Sequence, residues 1–107
     1  MTLSFGDAIN ALEQGKMARR KSWADSGKFV FRQVPSIIKK EIVPKMQSLP
    51  ESVKKEFQKR FDFSNNQIDA IYYQDQFALV NSSNLITSWC PTVPDSLAKD
   101  WEVLPSD

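Results

Sequence analysis

Residues 4–34, "SFGDAINALEQGKMARRKSWADSGKFVFRQV", decide the fold class. Phe5, Ala8, Ile9 and Leu12 recur at i, i+3, i+4 and i+7, the one-sided apolar stripe of an amphipathic helix. Ser4 precedes that stripe with Asp7 three residues on, close to a capping box, and Gly15 supplies a left-handed stop. The spacing predicts a helix over Ser4–Gln14. Met17–Arg20 reads as a short strand and "ADSGK" as turn chemistry, with Gly27 able to take positive φ. Lys28–Val34 alternates around Phe29 and Phe31 as a second strand, so the pair forms a hairpin with Trp23 near its tip.

Pro35 and Pro44 frame Ser36–Met46, which reads equally as a helical turn or an extended edge; Pro44 argues against one continuous helix. Ser48 and Glu51 have capping-box spacing, with Pro50 in the first turn. Val53, Phe57 and Phe61 follow at i, i+4 and i+8, and Lys54, Lys55, Lys59 and Arg60 take the other faces of this helix, which "DFSNNQ" (62–67) ends. Strand signals recur at Ile68–Tyr73, Phe77–Val80 and Leu85–Trp89. Thr92 then caps a short helix, with Pro94 in its first turn and Asp95 three residues on, before a final strand at Trp101–Leu104. The expected fold is α+β: an N-terminal helix plus a mainly antiparallel sheet with two further short helices. It forms a single domain over 1–107, with a helical insertion at about 36–63.

Composition removes whole classes of chemistry. There is no histidine, so the usual proton shuttle and the commonest metal ligand are missing, and no Ser-His-Asp or Cys-His site can form. Cys90 alone builds neither a zinc site nor an internal disulfide. Gly6, Gly15 and Gly27 lie too far apart for a phosphate-binding loop. No metal and no cofactor are expected, and a binding protein is favoured over an enzyme. The opening residues lack a signal-peptide pattern, and no apolar run approaches the roughly 20 residues that span a bilayer. Residues 1–60 carry a net +7 and residues 61–107 a net −6. Either the halves pair within the fold or an oligomer, or a basic face meets phosphates. A duplex DNA binder is usually more basic overall, so DNA is not an expected partner.

Trp101, between Leu97/Ala98 and Val103, reads as packing. Trp23 and Trp89 each allow two readings: a core ring, or a platform on which a base stacks. The same holds for Thr92–Asp95, which is a helix cap or a hydrogen-bonding edge for a ribose or base. Strand alternation sets Arg19 and Lys21 on one side and Arg20 on the other, as a solvated cluster or a phosphate contact. Cys90 reads as a small packing residue. A carboxylate phosphodiesterase using Asp95 and Asp100 lacks a metal constellation to support it.

Three segments carry a resemblance: "SFGDAINALEQGKMARRKSW" (4–23), "GKFVF" (27–31) and "WCPTVPDSLAKDW" (89–101). They resemble the opening, the following strand and the closing pattern of the phage Thoeris anti-defence protein 2 family. "SLPESVKKEF" (48–57) is similar to an insertion in longer members. The resemblance implies an α+β homotetramer acting in the cytoplasm of the infected bacterial host as a nucleotide sponge. On that resemblance it would bind the cyclic ADP-ribose isomer (gcADPR) made by the Thoeris TIR enzyme and withhold it uncleaved. Some longer members also bind cyclic dinucleotides of CBASS immunity at a separate site. At the matched positions Trp23 and Trp89 would stack on adenine, Phe29 would line the pocket, and Thr92 and Asp95 would hydrogen-bond ribose or base. The basic helix, with Lys54, Lys55, Lys59 and Arg60, would shape a second anionic-ligand site near an interface. The chain departs from the family pattern with "SWAD" for "GWN", Thr92 for Ser, and "SSN" for "DG". The alternative is a protein–protein inhibitor that masks a host factor with the basic helix.

Overall fold

A computed structural model describes residues 2–65 and 67–105. They fall into two compact units, one formed by the chain up to Val34 and from Asp75 onward, the other by Pro35–Gln74.

The first unit opens with α1 (Phe5–Glu13). Ser4 accepts from the Asp7 amide while the Asp7 carboxylate accepts from the Ser4 amide, so the expected capping box is present. Ala8 and Leu12 are fully buried, as the stripe predicts, and Gly15 adopts φ 86° after the helix. Five antiparallel strands follow: β1 (Met17–Arg20), β2 (Phe29–Gln33), β5 (Gln76–Val80), β6 (Ile86–Ser88) and β7 (Trp101–Leu104). Their order is β6-β5-β2-β1-β7. Ala18 pairs with both Val30 and Val103, and Val30 with Leu79. Paired residues share a face, and that face packs against α1 in a core of Ala8, Leu12, Ala18, Val30 and Trp101. The short α3 (Val93–Leu97) precedes β7.

The hairpin tip departs from expectation. Lys21–Ser26 form two turns of 3-10 helix, and Gly27 at φ 71° ends them. This winding brings Trp23 back onto the core cluster instead of leaving it at an open tip.

The second unit contains β3 (Ser36–Lys39) antiparallel to β4 (Ala70–Tyr73), with α2 (Glu51–Phe63) between them in sequence. Val43, Phe61 and Ile71 make its core, with Ile38, Met46, Leu49 and Phe57 packed alongside. The ambiguous tract resolves as a strand followed by a 3-10 turn at Val43–Lys45. The strand expected at Ile68–Tyr73 pairs with β3 in this separate sheet, not with the main one. Ser48 does not cap α2: the helix starts at Glu51 after Pro50, with no side-chain cap. The cause is local, because a residue preceding proline is driven from helical angles, which keeps Leu49 out of the first turn. Asn65, at φ 55°, follows the helix end; Asn66 of the terminating tract lies outside the described residues.

Candidate functional site

Five aromatic rings converge on the α1 side of the main sheet. Trp101, fully buried, lies 5.5 Å from Phe5, 5.4 Å from Trp23 and 5.9 Å from Trp89, centroid to centroid. Trp89 also meets Phe5 at 6.3 Å, Trp23 at 6.3 Å and Phe77 at 6.2 Å. Most of these contacts are edge-on, the geometry the ring quadrupole favours. Local chain geometry delivers each ring. The 3-10 turn carries Trp23, the Trp89 amide donates to the Phe77 carbonyl, and β7 carries Trp101. The Trp101 indole N–H donates to the Asp95 carbonyl at 2.9 Å. Trp23 and Trp89 are half-buried: they pack against the core and still present surface outward.

The start of α3 borders this cluster through the bond to Trp101. The Thr92 hydroxyl accepts from the Asp95 amide, and the Asp95 carboxylate accepts from the Thr92 amide, a complete capping box. Thr92→Ala removes half of it and is expected to lower stability by about 1 kcal/mol, read as a lower urea midpoint. The other Asp95 oxygen accepts from Arg20 Nη1 at 2.8 Å, and Arg20 also pairs with Asp100. Arg20 therefore bridges β1 to α3 and to the residue preceding β7. Its charge serves Asp95 and Asp100, not a phosphate. Burial pushes the Asp95 carboxyl up, but hydrogen bonds from Thr92 and Arg20, with the Arg20 charge, together hold it below the usual range. Asp100 bonding raises the Arg20 guanidinium further, against burial. Arg19, on the opposite face as alternation requires, pairs with Glu102 at 3.1 Å.

The structure brings Trp23, Trp89, Thr92 and Asp95 to one side of the sheet and places Phe29 on the other. Phe29 pairs with Val80 and alternates with Val30, so it joins Phe31, 6.5 Å away, on the face without α1. Cys90, expected to pack, is exposed. The basic quartet of the second unit also divides. Lys59 and Arg60 line a cavity of about 360 Å³ with Glu56, Phe63, Ser64 and Ile68. Lys54 and Lys55 border another, of about 210 Å³, where Lys54 bonds the Pro44 carbonyl and Glu51. Sequence reasoning missed Arg20 as the organiser of the capped helix start, because its partners lie 75 and 80 residues away. It also missed Lys28, whose ammonium sits 4.8 Å from the Trp23 ring centroid. Arg20 has no short-range signature, and the Lys28 contact depends on the 3-10 winding of Lys21–Ser26 that the turn reading did not foresee.

Fold and site together define a small α+β module: an antiparallel sheet with an aromatic cluster under its N-terminal helix, and a helical unit inserted between two paired strands. The chain belongs to the Thoeris anti-defense 2-like domain family, whose model matches residues 3–104. That family is named for countering Thoeris defence. No curated protein matches the sequence significantly. Among the described residues no helix is long and apolar enough to cross a membrane.

Proposed function

We propose that this protein is a sponge that binds the cyclic ADP-ribose isomer of Thoeris signalling (gcADPR) and sequesters it without cleavage. The observation that carries this reading is the half-exposed pair Trp23 and Trp89 beside the capped start of α3. Aromatic surface of this kind accepts an adenine, and exposed Thr92 offers polar contact at its edge. Two features favour holding over hydrolysis. The chain has no histidine, and both carboxylates considered for acid–base work, Asp95 and Asp100, are tied to Arg20.

Assembly as a homotetramer is part of the proposal. The sheet face away from α1 carries Met17, Phe29, Phe31, Val80, Ile86 and Leu104, and Ile86 is 57% exposed. Val80 is buried and Met17, Phe29, Phe31 and Leu104 are half-buried, so the apolar surface this face offers a second copy centres on Ile86 and the outer parts of those rings and chains. Phe29 then contributes where copies meet. The proposed cyclic-dinucleotide site narrows to the cavity of Lys59 and Arg60, which Phe63 and Ile68 flank.

Native mass spectrometry with a panel of cyclic nucleotides tests stoichiometry and ligand together. One gcADPR released intact on heating is the expected result, and recovery of a hydrolysed product overturns it. Trp23→Ala and Trp89→Ala are each expected to weaken binding about tenfold or more in calorimetry, with circular dichroism unchanged. Affinity retained in both removes the aromatic cluster as the site.

One observation favours a second reading, a protein–protein inhibitor. Phe63 is 95% exposed at the end of the basic helix, close to Ile68 and within reach of a partner's surface. Co-purification of a host protein, with no depletion of the Thoeris signal from a cell filtrate, would decide for it.

A further inference from the structure

Lys28 precedes β2, and its ammonium nitrogen stands over the Trp23 indole, 4.8 Å from the centroid. The side chain is half-buried, and among the described residues no carboxylate pairs with it. The ion pairs of the first unit go instead to Arg19, Arg20 and Arg32. Arg20, the other cation beside the aromatic cluster, has its side-chain hydrogen bonds committed to Asp95 and Asp100. Lys21, at the start of the Trp23 turn, is exposed and held by no ring contact. The cluster thus has one cation poised on the candidate stacking ring and held there only by the ring's quadrupole. That attraction is weaker than a charge-assisted hydrogen bond to an oxyanion.

We propose that Lys28 is the phosphate-contacting residue of the aromatic site. A ligand carrying a planar base and a diphosphate places its base on Trp23 and its phosphate oxygens on Lys28 Nζ, which exchanges the indole for the stronger acceptor. The site then selects for an anionic nucleotide over a neutral nucleoside of equal ring area. This inference rests on the aromatic cluster being the nucleotide site.

The test is calorimetric titration of the full chain with gcADPR at low and high salt, using Lys28→Met and Lys28→Arg. Methionine keeps the length and apolar stem and removes the charge; arginine keeps the charge. Lys28→Met is expected to weaken binding about tenfold at low salt and to flatten its salt dependence, while Lys28→Arg keeps both near wild type. Wild-type affinity and salt dependence in Lys28→Met overturn the inference and leave the sponge reading standing. Equal losses in the two variants also overturn it, since packing and not charge would then be at work. No binding of gcADPR by the folded wild-type protein overturns both.

Discussion

Trp101→Ala is expected to lower the unfolding free energy by about 3–5 kcal/mol, a large share of a small domain's stability. Trp101 is fully buried and touches three aromatic rings, so truncation opens a cavity that Phe5, Trp23 and Trp89 line. Its indole N–H is also the donor to the Asp95 carbonyl, and losing it detaches α3 from the sheet at one of its two anchors. Its backbone joins Leu3 through two hydrogen bonds, of 2.9 and 3.1 Å, which a side-chain change leaves in place. The damage should therefore centre on the aromatic cluster. Trp101→Phe keeps much of the ring volume and is expected to cost less than half as much. Urea titrations of both variants check this, and an unchanged midpoint for the alanine variant contradicts it.

Arg20→Met is expected to cost about 2–3 kcal/mol at neutral pH, below the full value for a buried pair because Arg20 and Asp95 side chains keep 20% and 12% exposure. The methionine leaves Asp95 with its Thr92 bonds alone and frees Asp100. The pH dependence separates charge from packing. In the folded wild type the Asp95 carboxyl is held below its ordinary range, so its contribution is present above the unfolded value, about 4, and is lost as pH falls through the folded one. Without Arg20, burial meets less opposition and the carboxyl titrates higher. Urea midpoints taken from neutral pH down to about 3 should show the two proteins converging in acid. A constant gap across that range would mean that Arg20 acts by packing alone.

Local physics made much of this chain legible. The stripe Phe5-Ala8-Ile9-Leu12 and the boxes Ser4–Asp7 and Thr92–Asp95 each depend on residues within one or two turns, and each forms as read. Trp101 was legible as packing because Leu97, Ala98 and Val103 bracket it at the junction of a helix and a strand, and it is fully buried. Misreadings arose where two local rules competed. At "SLPE" the capping spacing favoured Ser48, but the restriction that Pro50 places on Leu49 prevailed. Whatever depends on register across distant strands left no trace in spacing. The pairing of β3 with β4, the Arg20 bridge to Asp95 and Asp100, and the separation of Phe29 from Trp23 by a sheet's thickness are all of this kind. Alternation did set Arg20 apart from Arg19; what it could not name was the partner.

The inserted unit has a bearing on the order in which the chain folds. Gln33 pairs with Gln76, so the central strand β2 meets its neighbour β5 only after residues 34–75 have been looped out. Closing a loop of that length costs entropy before any contact rewards it, which slows folding in proteins dominated by distant pairings. The β3–β4 ladder sets Ser36 opposite Tyr73, a few residues inside the same loop. Once that ladder forms, the ends of β2 and β5 are already neighbours, and the remaining closure is that of a short hairpin. If the β3–β4 ladder forms first, the insertion acts as a zipper pull for the sheet that carries the aromatic cluster, and destabilising that ladder is expected to slow refolding of the whole chain in stopped-flow fluorescence.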